Sequence, residues 1–149
     1  MNTFATRQRG VTLLELMIVV AIIAIISAFA YPSYTNYIVN TKRAVATSAM
    51  LQIADRQQQF FMDNKRYAAT MTDLGLPANP YVVADDGSST VATDTGAAYS
   101  IALSNVAGTN YTVTATPLHS QASRDTKCAN LLINQAGAKT SSTGYGGCW

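Results

Sequence analysis

The chain has 149 residues, 48% of them apolar and 12% charged, with ten basic residues against eight acidic ones. Arg7 and Arg9 both precede Gly10, so a chain starting at Val11 is close to neutral, which argues against a strongly basic nucleic-acid-binding protein. A single histidine, His119, and two well-separated cysteines, Cys128 and Cys148, supply neither a metal site nor a CxxC redox pair.

Residues 1–10 are short, polar and basic, with no acidic residue. Val11 to Ala30 is a nearly unbroken apolar run. As a helix it is about 30 Å long, the thickness of a bilayer's hydrocarbon core. Its one carboxylate, Glu15, costs on the order of 2.5–3.5 kcal/mol at membrane depth, so it marks a functional site that needs a partner. A secretory signal is cut after its apolar region. Here the only plausible site is Gly10, before the run, and cleavage there keeps the helix. Arg7 and Arg9 hold the leader in the cytoplasm by the positive-inside bias, which exports the C-terminal domain.

The run from Arg9-Gly10-Val11-Thr12-Leu13-Leu14-Glu15 to Tyr31-Pro32 resembles the class III leader and N-terminal helix of type IV pilins. The resemblance implies that a prepilin peptidase cuts between Gly10 and Val11 and N-methylates Val11. That first residue is usually phenylalanine in the family; here it is valine. Glu15 is then expected to pair with the N-terminal amine of a neighbouring subunit. Such a pair compensates two buried charges at once and penalises a slipped neighbour. The plainer alternative is a water-accessible carboxyl near the cytoplasmic interface. Pro32 predicts a bend at the lipid boundary or, by the resemblance, a joint that loosens when subunits pack into a fibre. Ser27, Ala28 and Ala30 permit close helix approach.

From Ser33 to Lys65 the pattern becomes amphipathic. Ile38, Val45, Ala49, Ile53 and Phe60 fall on one stripe, with Lys42, Arg43, Asp55, Arg56 and Asp63 on other, solvated faces. Tyr31, Tyr34 and Tyr37 sit where an interfacial aromatic belt belongs. Breaker clusters at 73–77, 79–80 and 85–89 predict a long surface loop over 66–97, with one helical turn near Thr72–Leu74. Asp85, Asp86 and Asp94 lack the spacing of a calcium loop and read as a solvated acidic turn. Residues 99–104 and 111–116 alternate with period two around the turn Ala107–Asn110, a hairpin offering Ile101, Leu103, Val113 and Ala115 to the helix. A third strand runs from Leu131 to Asn134 and closes at Gly137. His119 is a surface imidazole in a loop after Pro117. Asn110-Tyr111-Thr112 matches a glycosylation acceptor but starts a strand and is discounted.

Two cysteines in a Gly/Ser/Thr-rich tail beyond a membrane segment read as a disulfide in an oxidising compartment rather than as free thiols. The tail from Thr114-Ala115-Thr116-Pro117 through Gln121, Arg124-Asp125, Cys128, Leu131, Asn134 and Gly137 to Cys148-Trp149 resembles the PilE-type minor pilins. That resemblance implies that Cys128 and Cys148 bracket a disulfide-bonded C-terminal region.

The resulting expectation is an α+β pilin fold, with a leader (1–10), a membrane and filament-core helix (11–31) and an amphipathic helix (32–65). A loop (66–97) and a sheet with the disulfide region (98–149) complete it. The chain reads as no enzyme and needs no cofactor. It reads as a subunit, of the minor type, stored in the inner membrane with its C-terminal domain periplasmic and then assembled into an extracellular pilus for motility, adhesion or DNA uptake. The partners implied are other pilins, major and minor, the prepilin peptidase, the assembly platform and lipid, with no direct nucleic-acid contact. The alternatives are a type II secretion pseudopilin, which the cysteine-bracketed tail disfavours, and a monomeric anchored domain binding a ligand through 66–97.

Overall fold

The computed structural model describes residues 10–149; most of the leader, including Arg7 and Arg9, lies outside the described residues. The chain divides into two units, Met1–Tyr37 and Ile38–Trp149.

In the first unit, helix α1 (Leu13–Asn64) begins just after Thr12. The Glu15 backbone N–H donates to the Thr12 hydroxyl at 3.2 Å, and the Leu16 N–H closes the first turn on the Thr12 carbonyl. The large apolar side chains from Val11 to Phe29 are all exposed. A helix with this surface is at rest only in lipid or among other helices. α1 is the one helix, among the described residues, long and apolar enough to cross a membrane. The helix continues through Pro32, which removes one backbone donor without ending it. The Thr35 hydroxyl donates to the Pro32 carbonyl at 2.9 Å.

In the second unit the rest of α1 packs on the sheet. Its buried residues are Val39, Ala46, Met50, Ile53 and Gln57. This corrects the expected stripe: of Ile38, Val45, Ala49, Ile53 and Phe60, only Ile53 is fully buried. Val45, Ala49 and Phe60 are partly buried against the core. The true stripe keeps Ile53 but is turned by roughly 70°, and it contains a glutamine that no apolar pattern selects. Gln57 holds that place by bonding both ways to Ala68: its Oε1 accepts the Ala68 N–H (2.9 Å) and its Nε2 donates to the Ala68 carbonyl (3.0 Å). The clamp draws the chain back beneath the helix, where Tyr67, Ala68, Met71 and Leu74 join the core. A 3₁₀ turn, Thr72–Leu74, lies where a helical turn was expected and ends at Gly75 with φ +73°.

Residues 66–97 are not a loop throughout. They contain β1 (Tyr81–Ala84) and β2 (Ser89–Thr90), paired as an antiparallel hairpin. β1 has only four residues between Pro80 and Asp85-Asp86-Gly87. Val82 and Val83 are both buried, so no alternation announces it. The acidic residues shape this hairpin. Asp86 Oδ1 accepts from the Ser88 N–H and hydroxyl, Gly87 takes φ +86°, and Asp85 pairs with Lys42 at 2.8 Å. Asp94 accepts the Thr90 hydroxyl and the Gly96 N–H.

The remaining strands are β3 (Ala97–Ala107), β4 (Asn110–Pro117), β5 (Leu131–Asn134) and β6 (Lys139–Ser141). The sheet is antiparallel in the order β2-β1-β3-β4-β5-β6. Ile101 pairs with Ala115 and Leu103 with Val113, in the hairpin that alternation predicts. Ile101, Val113, Ala115, Leu131 and Ile133 pack with Ala46, Met50 and Ile53 of α1 in one core. His119 does not lie in a loop. It starts a short helix, α2 (His119–Arg124), and its exposed imidazole Nε2 lies 2.9 Å from the Ala92 carbonyl. β6, short and polar, carries no sequence signal.

Candidate functional site

Two regions carry the residues that the sequence singles out. Gly10 and Val11 lie exposed immediately before α1. A Cβ built at Gly10 meets no atom within 4 Å, so packing does not require a glycine there. Glu15 lies in the first turn of α1, exposed, and its carboxylate has no hydrogen-bond or ion-pair partner among the described residues. Thr12 and Glu15 also have the spacing of a capping box, with Glu15 at the positive end of the helix dipole. The Thr-x-x-Glu pattern is legible in the sequence, although the apolar run around Glu15 draws the reading toward lipid instead. Pro32 lies about 25 Å further along the helix by helical rise.

The second region runs from Leu118 to Trp149. Cys128 and Cys148 are bonded, with S–S 2.07 Å and Cα atoms 5.7 Å apart. Beside them is a polar cluster that sequence reasoning missed. Asp125 has no exposed side-chain surface and receives both arms of Arg43: Nη2 to Oδ1 at 2.6 Å and Nε to Oδ2 at 3.1 Å. The Tyr99 hydroxyl donates to Oδ2 at 2.9 Å. Gln121 Nε2 donates to the Tyr99 oxygen at 2.9 Å, with the Val39 carbonyl and Asp125 Oδ2 each at 3.2 Å. The hydrogen bond to Asp125 raises the Arg43 pKa further against burial, and burial raises that of Tyr99. Arg43 therefore does not sit on a solvated face as its helical position suggested. No local signal could have found this pair across 82 residues.

The cluster changes the surface charge. After Asp94, the only side-chain carboxylate in the sequence is Asp125, and it is buried. Arg124, Lys127 and Lys139 are all exposed. The Lys139 ammonium lies 5.4 Å from the centroid of Trp149, whose indole N–H donates to the Thr140 carbonyl at 2.8 Å. The Thr143 hydroxyl donates to the Lys127 carbonyl at 2.6 Å.

Residues 32–132 match the family described as type IV minor pilin ComP, DNA uptake sequence receptor, and residues 5–31 match the prokaryotic N-terminal methylation motif. The chain is 36% identical over 75 residues to the type IV major pilin protein PilA of Myxococcus xanthus strain DK1622, covering 50% of this chain and 34% of that protein. It is 45% identical over 67 residues to the type IV major fimbrial protein FimA of Dichelobacter nodosus, covering 42% of each. With the type IV major pilin protein PilE1 of Neisseria gonorrhoeae the figures are 35% over 79 residues, 50% of this chain and 46% of that one. The matches thus span less than half the length of these relatives. A solved type IV pilin from Shewanella oneidensis aligns with a TM-score of 0.47 at 16% identity, covering 74% of this chain and 97% of that one. The match over 32–132 covers more than half of the sequence and joins the methylation motif directly. The chain belongs to the type IV pilins, in the family of the minor pilin ComP, a family of structural subunits rather than of enzymes.

Proposed function

We propose that this pilin is a minor subunit that enters a type IV pilus through its N-terminal helix and contacts double-stranded DNA through residues 118–149. The observation that carries the DNA reading is the segregation of charge. Arg124, Lys127 and Lys139 are exposed, while the one carboxylate among them is neutralised inside the domain by Arg43. The near-neutral total had argued for no nucleic-acid contact. Phosphates respond to local cation density, and here the sum conceals the distribution. The description of the matching family, a DNA uptake sequence receptor, agrees with this reading.

For assembly, the prepilin peptidase cleaves after Gly10 and methylates Val11. Nothing among the described residues asks for glycine at that position, which supports recognition as its role. Glu15, without a partner in its own described chain, then pairs with the new amine of a neighbour. Before assembly the helix rests in the inner membrane with the domain on the periplasmic side. Other pilins and the assembly platform are the partners that draw it out.

The DNA reading is tested with the full chain in detergent micelles, titrated against a labelled DNA duplex at several salt concentrations. The Arg124→Ala/Lys127→Ala/Lys139→Ala variant is expected to bind more weakly at low salt, and the slope of log affinity against log salt to become shallower by up to about three. An unchanged slope removes these residues from the interface. Assembly is tested separately: Glu15→Ala should be absent from sheared fibres in a strain that depends on this copy. Recovery at the normal level would sink the pairing.

A further inference from the structure

We propose that the Arg43–Asp125 ion pair is a positioning device for the DNA-contacting cations, with the buried carboxylate setting which way Arg124 and Lys127 point. The proposal rests on the DNA reading of residues 118–149. Between Pro117 and Cys128 only two residues are buried, Gln121 and Asp125, and both are polar. α2 has six residues and no side-chain cap at its start, far too short to hold itself or to choose a face by apolar packing. Its orientation is therefore set by hydrogen bonds. Gln121 reaches the Val39 carbonyl on α1 and the Tyr99 hydroxyl on β3, and Asp125 takes the guanidinium of Arg43 on α1.

The geometry of this anchor is directional. Arg43 meets Asp125 with two arms, which fixes the plane of the carboxylate as well as its distance. The backbone around it is closed too. The Asp125 N–H donates to the Gln121 carbonyl at 2.8 Å, and the Ala129 N–H donates to the Asp125 carbonyl at 2.9 Å. With Gln121 and Asp125 held inward, Ser123, Arg124, Thr126 and Lys127 are left exposed. One buried anion thus presents two cations from the adjacent chain. Asp125 and Arg43 are positioning residues and make no contact with DNA themselves.

Charge counting and positioning make opposite predictions for one substitution. Asp125→Asn removes an anion from the basic region, so counting alone predicts tighter DNA binding. Positioning predicts weaker binding, because the fork of Arg43 loses its partner and α2 loses its direction. The experiment titrates a labelled DNA duplex with the full chain in detergent micelles across a salt series. Asp125→Asn is expected to bind about fivefold or more weakly, with a salt slope shallower by about one to two. Arg43→Gln is expected to behave alike. Arg43→Gln/Asp125→Asn, which has the wild-type net charge and can pair amide with amide, should lie closer to wild type than either single variant.

Tyr99→Phe removes one donor to Asp125 without changing any charge and serves where a single charge variant fails to fold; it is expected to lose about twofold in affinity at an unchanged net charge. A near-ultraviolet circular dichroism spectrum and a cooperative urea transition like those of the wild type certify the fold of each variant. Wild-type binding that Asp125→Asn leaves equal or tighter overturns the positioning role alone. Where Asp125→Asn does not fold, full wild-type affinity in Tyr99→Phe does the same. Absence of wild-type binding at low salt overturns the DNA reading and this proposal together.

Discussion

Arg43 and Asp125, 82 residues apart in sequence, form the two-armed ion pair that fastens the segment leading into the disulfide-closed region to α1. The carboxylate is wholly enclosed and the arginine side chain is partly buried. Breaking such a pair from one side leaves an uncompensated buried charge, which costs about 3–5 kcal/mol. Arg43→Met is expected to lose that much in urea denaturation of the full chain in micelles. Arg43→Met/Asp125→Asn should lose clearly less, since no orphaned anion remains. A double variant as unstable as the single one would show that the lost packing of the arginine stem dominates instead.

Tyr99 carries the pH dependence of this cluster. Burial raises its pKa above the ordinary tyrosine value of about 10. The folded state then keeps the phenol proton where the unfolded chain has released it. By linkage, stability is fully present below about pH 10 and falls as the pH rises above it. Tyr99→Phe should be less stable at neutral pH, having lost a donor to Asp125, yet show a flatter alkaline decline. Parallel declines in the two proteins would assign the alkaline loss to other groups.

Gln57 is the second buried polar anchor, and its two bonds serve a single residue, Ala68. Gln57→Leu would leave a buried N–H and a buried C=O unpaired, at about 1–3 kcal/mol each. The expected result is a loss of about 2–6 kcal/mol, with accelerated amide exchange at Ala68 and its neighbours while β4 stays protected. Unchanged exchange at Ala68 would mean that water replaces the side chain there.

The elements legible in the sequence are those whose signal is local. The apolar run with Glu15, the alternation of 99–104 and 111–116, and Leu131–Asn134 each declare themselves within a few residues. β1 did not, because a four-residue strand buried on both faces has no period to read. The helix stripe was misplaced because apolar residues lie on both sides of it, Val45 and Ala49 beside Ala46 and Met50, and because Gln57 is buried for the hydrogen bonds it makes, not for its hydrophobicity. Arg43 and Asp125 were invisible as a pair for a related reason. On a helical wheel Arg43 belongs to the solvent, and only the arrival of α2 makes its position an interior one. Buried polar pairs of high sequence separation are tertiary facts, and here they decide which charges reach the surface.

The disulfide acts on the same region by a different route. Cys128 and Cys148, twenty residues apart, close a loop that carries β5, β6 and Lys139, with Trp149 directly after it. In the chain-entropy description such a closure stabilises by about 3 kcal/mol, mostly by restricting the unfolded chain. Cys128→Ser/Cys148→Ser is expected to lose about that amount in urea denaturation. The loss should be local at first, since β5 is flanked by β4 and β6, whereas β6 is an edge strand paired with β5 alone. Hydrogen exchange should therefore rise in residues 139–149 before it rises in β3 and β4. Uniform loss of protection across the sheet would show instead that the bond is needed for the whole domain to fold.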